Sequence, residues 1–216
     1  MLSALAAAFI VASGVLSIAY VSTGPQTGGA PGAVSADDVL DFWFAPGRER
    51  DWFAADPAFD REVRARFGGA VDAALAGELD AWADTPPGAL ALVVVLDQMT
   101  RNAHRGTARA YAGDAAALRL ARALVPEHVD MSGDERLFAT LPFEHSEDPA
   151  DQDDSVRMFA LLVEDAGPDF QRAFAYAVDH RDVVARFGRF PKRNAALGRA
   201  STPAEVAYIR DSDAPF

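Results

Sequence analysis

The sequence predicts an all-α domain of about eight helices arranged as antiparallel hairpins. Three observations predict it. From Asp37 onward apolar residues recur at helical spacing, and no segment sustains strand alternation. Helix-start signals recur, with Asp before Pro at Asp56-Pro57 and capping boxes at Ser132–Glu135 and Thr202–Glu205. The segments between them are short, which makes successive helices antiparallel neighbours. With 216 residues, 50% of them hydrophobic, the chain can bury one sizeable core.

Taken in order, Ser35 caps a short aromatic helix over 37–44, which ends before Pro46-Gly47. Asp56-Pro57 opens a helix whose stripe is Phe59, Val63, Phe67, Val71, Ala74 and Leu75, with Gly68-Gly69 as a place to bend. Residues 90–104 are apolar on nearly every side, the mark of a central buried helix. Asp114 is placed to cap an alanine-rich helix to Val125. The Ser132 capping box starts a helix directed toward Leu141-Pro142. Helices over 155–165 and 168–187 follow, and Gly188 suits the left-handed stop of the second. A short helix is expected from Pro191, and the Thr202 capping box opens the last one.

Residues 1–35 read differently. They carry no charged side chain, and 4–21 form an apolar run. As a signal or membrane anchor, with Val34-Ser35-Ala36 as cleavage site, this leader would export or tether the protein. No Lys or Arg precedes the run, so the other expectation is a start assigned too far upstream and a cytoplasmic protein. Residues 36–216 form the single all-α domain in either case.

Composition excludes several function classes. A net charge of -12 speaks against nucleic acid as a partner, and leaves a membrane role only to residues 4–21. The absence of Cys removes disulfides, thiolate metal sites and Cys nucleophiles. Neither a phosphate-binding loop nor a dinucleotide fingerprint occurs, so no cofactor is assigned. No G-x-S-x-G elbow surrounds Ser146.

Four places carry chemistry. Asp97 and Arg101 lie four residues apart on the same side as Leu90 and Val94, so an ion pair faces the core. On the helix over 168–187, His180 and Arg181 fall on the inward side. A neighbouring cation would hold His180 neutral, as a base. After Pro142, Glu144 and His145 make an acid–imidazole pair in which the carboxylate sets the tautomer. The acids Glu144, Glu147, Asp148, Asp151, Asp153 and Asp154 make this stretch a counterweight to the basic island over 180–199. In that island Arg189, Lys192, Arg193 and Asn194 surround a helix start at Pro191, an arrangement that binds an anion or the acids of 144–154. His145, His180 and Glu144 could supply three metal ligands. No H-E-x-x-H or E-x-x-H pair accompanies them, so no metal is assigned.

The stretches FWF at Phe42–Phe44, LDQMTRN at Leu96–Asn102, Arg105-Gly106, LPFEHSE at Leu141–Glu147 and HRDVVARFGRFPKRNAALGR at His180–Arg199 together resemble a bacterial all-helical family known only as a domain of unknown function. The resemblance spans 37–211. It implies a tetratricopeptide-like, right-handed helical array and a cytoplasmic setting, and brings no activity with it.

Two function classes follow. In one, Asp97, Arg101, Arg181, Arg189, Arg193 and Asn194 hold a small anionic ligand, while His145, His180 and Glu144 carry acid–base, hydrolase-like chemistry. In the other, the array is a scaffold for a protein partner and the polar residues are locks between hairpins. Polar groups on faces where the helical period places the core favour the pocket. Whether the protein is an enzyme stays open at this level.

Overall fold

The computed structural model describes residues 34–125 and 130–211. These residues belong to the unit Val34–Phe216, one of two into which the chain divides. The leader over 1–33, with its apolar run, lies outside the described residues. Among the described residues the fold is all-α, and none of their helices is long and apolar enough to cross a membrane.

The capping signals place the helix starts. Ser35 closes a capping box with Asp38 at the head of α1 (Ala36–Trp43). Asp56 caps α2 (Pro57–Leu75), which runs unbroken through Gly68-Gly69. Ser132 with Glu135 caps α6 (Gly133–Glu144), and Thr202 with Glu205 caps α9 (Pro203–Arg210). Asp148-Pro149 repeats the Asp56-Pro57 signature and starts α7 (Pro149–Ala166) six residues before the expected Ser155. α8 (Gln171–Phe187) ends at Gly188 in the left-handed conformation, φ 69°.

The central helix departs from regular geometry. It begins as α3 (Pro86–Val93), passes through a π-helical segment (Val94–Met99), and continues as α4 (Thr100–His104). The Thr100 hydroxyl donates to the Val95 carbonyl at 2.8 Å inside that segment. A π-turn accommodates one extra residue, and such insertions concentrate at functional sites. Here it places six consecutive residues, Val94 to Met99, out of solvent, including Asp97 and Gln98.

The core is built around this helix. Phe42 and Trp43 of α1 meet Phe59, Phe67 and Phe138, with Trp43 and Phe138 edge-on at 5.5 Å. α2 packs on α4 and the π-segment, α5 (Asp114–Leu124) on α3, and α6, α7 and α8 pack in succession. Val183, Val184 and Phe190 form a second, smaller apolar cluster with Phe187 and Tyr208.

Three local expectations are corrected. Asp114 does not cap α5. Gly113 holds the N-cap position, and Asp114 turns its carboxylate to two arginines instead. A Cβ on Gly113 would lie 2.2 Å from the Leu96 carbonyl oxygen, so only glycine lets this loop rest on the π-segment. Pro142 does not end α6, which carries it buried to Glu144. The expected helix at Pro191 is a single 3₁₀ turn (Pro191–Arg193).

Candidate functional site

Asp97 is fully buried in the π-segment, where desolvation alone would favour its neutral form. The charge of Arg101, with the hydrogen bonds from His145 and Gln98, outweighs that penalty and holds its carboxyl well below the usual carboxylate range. Arg101 lies 3.1 Å from Asp97 Oδ1 and 3.0 Å from Asp114 Oδ1. Gln98 Nε2 donates to Asp97 Oδ2 at 2.5 Å. An ionised, immobilised carboxylate results.

His145 stands at the end of α6 with Nδ1 at 2.8 and 2.9 Å from the two oxygens of Asp97. Because Asp97 is ionised, Nδ1 carries the hydrogen and donates, and Nε2 keeps the lone pair. Burial, assisted by Arg101 and Arg193, lowers the His145 pKa despite Asp97, so the ring is neutral at neutral pH. The carboxylate that orients His145 is therefore Asp97, not the adjacent Glu144.

Glu144 turns toward His180 instead. Its Oε1 is 3.3 Å from His180 Nδ1, and its Oε2 is buried without a hydrogen-bond partner. Burial, then the charge of Asp97, pushes the Glu144 carboxyl well above its ordinary value. His180 donates from Nδ1 to the Tyr176 carbonyl at 2.8 Å, which again leaves the lone pair on Nε2. Burial, with the neighbouring His145, lowers the His180 pKa to about 2. The two imidazoles meet edge-on at 6.1 Å, and Phe190 packs on the far one at 5.4 Å. Glu144, His145 and His180 each bring a donor atom within 4.8 Å of the others.

His145 and His180 line a cavity of about 230 Å³. Its other walls are Arg101, Arg105, Gly106, Ala110, Tyr111, Phe190, Lys192 and Arg193. Arg193 is clamped between rings, 4.3 Å from the Phe190 centroid and 5.0 Å from that of Tyr111. It donates to the His145 carbonyl at 2.9 Å and pairs with Asp114 at 3.3 Å. Arg105 forms a two-pronged pair with Asp60 at 2.6 and 2.8 Å, and Asn102 adds a third hydrogen bond to the same carboxylate.

The expected site residues thus separate into two groups. Asp97, Arg101, His145, His180 and Arg193 converge, with Glu144 behind the two imidazoles. Arg181, Arg189 and Asn194 do not join them. Arg181 is on the surface, paired with the adjacent Asp182 at 2.9 Å. The buried stripe of α8 is Ala177, His180, Val183 and Val184, and Arg181 lies about 100° from its centre. Arg189 grips Glu205 at 2.6 and 2.9 Å and so anchors α9. Asn194 is buried in the following loop, donating to the Ser201 hydroxyl and accepting from Arg199. The anion position expected at Pro191 is taken by the chain's own Glu147, which accepts the Phe190 N–H at 2.8 Å and both arms of Arg199. The acidic stretch is in part the internal partner of the basic island.

Sequence reasoning missed Asp60, Tyr111 and Gln152. Asp60 had a signal, since it precedes Val63 by three and Phe67 by seven residues on the buried stripe of α2. Gln152 donates to the carbonyls of Glu144 and Ser146 at 2.7 and 2.6 Å, fastening the turn that presents His145. Nothing local in the sequence marks it or Tyr111.

Comparison with other proteins adds a family. The model of a family described as "bacterial protein of unknown function (DUF924)" matches residues 39–213. A solved structure of a protein of unknown function from Agrobacterium tumefaciens is similar, with 40% identity and a TM-score of 0.72. The match covers 82% of this chain and 97% of that one. No curated protein sequence matches.

Proposed function

The chain belongs to this bacterial family of unknown function, and we propose that it binds a small anion in the arginine-lined cavity and transfers a proton to or from it. The observation that carries this reading is the cavity's lining. Arg101, Arg105, Lys192 and Arg193 bring positive charge to a space of about 230 Å³, and two neutral imidazoles face the same space. Cations held rigid by buried acids are a preorganised receptor for a carboxylate or phosphate. His145, fixed by Asp97 with its lone pair on Nε2, is the acid–base group. Hydrolysis of a small anionic ester or amide suits such a set.

Lys192 is the residue through which to test it. Its side chain is exposed and lines the cavity, so its loss leaves the core intact. Inorganic phosphate or a small carboxylate should raise the thermal transition of the wild type, and Lys192→Ala should lower that affinity by about tenfold, or about 1.4 kcal/mol. An absence of any shift with phosphate, sulfate and small carboxylates alike would overturn the reading and favour polar residues that only lock helices together.

A further inference from the structure

We propose that Glu144, His145 and His180 form a binding site for a divalent transition-metal ion of the zinc class, with its open side toward the cavity. The inference rests on the pocket reading for its purpose and shares His145 and His180 with it, adding Glu144.

Three observations support it. The donor atoms of the three residues lie within 4.8 Å of one another, and the side chains are held in place by α6 and α8. Two imidazoles and one carboxylate leave a fourth position open, as in catalytic zinc sites. Next, both rings have the hydrogen-bonding pattern of metal-bound histidine. Each directs one ring N–H to an oxygen, His145 to Asp97 and His180 to the Tyr176 carbonyl, and keeps the other nitrogen as an electron-pair donor. Finally, Glu144 is 4% exposed, and its Oε2 has no hydrogen-bond partner. A buried carboxylate oxygen without a partner costs free energy, and a cation beside it removes that cost.

The surrounding arginines do not oppose a cation as strongly as their number suggests. Arg101 is matched by Asp97 and Asp114, Arg193 by Asp114, and Arg105 by Asp60. When Glu144 is ionised, Asp97, Asp114 and Glu144 balance Arg101, Arg193 and Lys192 in number. Zn–N bonds of about 2.0–2.1 Å would draw the three side chains together slightly, a movement within reach of side-chain rotation. A bound ion would take the His145 lone pair, and an ion-bound water would then stand where the imidazole base does without metal.

The test uses the full chain stripped with a chelator and titrated with Co2+ and Zn2+. Stoichiometric binding by calorimetry, with the visible absorption of four- or five-coordinate Co2+, is expected. Glu144→Gln and His180→Gln should each weaken binding by more than tenfold while circular dichroism stays helical. Lys192→Ala should keep the metal and weaken the phosphate-induced thermal shift, so failures of the two readings are distinguishable. No stoichiometric binding, or binding unaffected by both the Glu144 and His180 substitutions, would overturn the metal site, even if phosphate still shifts the transition.

Discussion

Asp60 shows how a single carboxylate can set the edge of the site. The hydrogen bonds from Arg105, reinforced by Asn102, outweigh burial and keep its carboxyl below the ordinary aspartate value. The unfolded chain therefore takes up this proton at a higher pH than the folded one. The stabilisation is complete above the unfolded value of about 3.9 and is lost as pH falls through the folded value. Asp60→Asn should cost about 1–2 kcal/mol in urea unfolding at neutral pH, a figure reduced because Arg105 is 46% exposed. The gap between variant and wild type should close below about pH 4. A gap that persists at low pH would show that shape, not charge, sets the cost. At this scale the sequence was legible where one helix held both partners. Asp97 and Arg101 share a helix four residues apart, and the helical period pairs them. The partners of His145 and Arg105 lie 48 and 45 residues away, at Asp97 and Asp60. Nothing in the local pattern points to them, so the adjacent Glu144 reads as the partner of His145.

Among the elements, the loop–helix contact at Gly113 does more than the caps. Capping boxes at Ser35, Ser132 and Thr202 were readable because they are made of neighbours. The role of Asp114 was not, because it depends on where the loop before α5 rests. Gly113 lies against the backbone of Leu96 inside the π-segment, and this sets Asp114 between Arg101 and Arg193. Gly113→Ala should therefore force the loop and π-segment apart. The expected cost is about 1–3 kcal/mol in denaturant unfolding. The phosphate-induced thermal shift should shrink with it, because both arginines lose their shared partner. If stability falls and the shift survives, Asp114 has no part in organising the cavity. α7 offers the complementary case. Its start at Asp148-Pro149 carries the same signature as α2, but the run of acids there resembles a solvated loop. Of those acids Asp151 is buried, accepting from the Ser146 hydroxyl at 2.7 Å and paired with Arg122.

Over the whole molecule, charge is distributed unevenly. The chain carries -12, yet its described cavity is bordered by four cationic side chains. Long-range repulsion turns away polyanions, while a small anion that reaches the cavity meets rigid donors. Inorganic phosphate should thus shift the thermal transition while double-stranded DNA leaves it unchanged, even at low salt. A salt-sensitive shift with DNA would contradict this division between outer surface and cavity. The fold class was legible at this scale because helical spacing persists along the chain. The cavity was not, since it is assembled from α4, the turn at Ala108–Tyr111, α6, α8 and the turn at Pro191–Arg193, far apart in sequence.

The wide turn in the central helix has a consequence for how such a protein can change. One residue more or fewer between Val94 and Met99 turns everything downstream by about 100°. Arg101, Asn102 and Arg105 move together in that rotation, away from Asp114 and Asp60 at once. Substitutions can adjust these contacts one at a time, but a change of length acts on all of them as a single switch. This short buried stretch, apolar apart from Asp97 and Gln98, is therefore closely constrained in length.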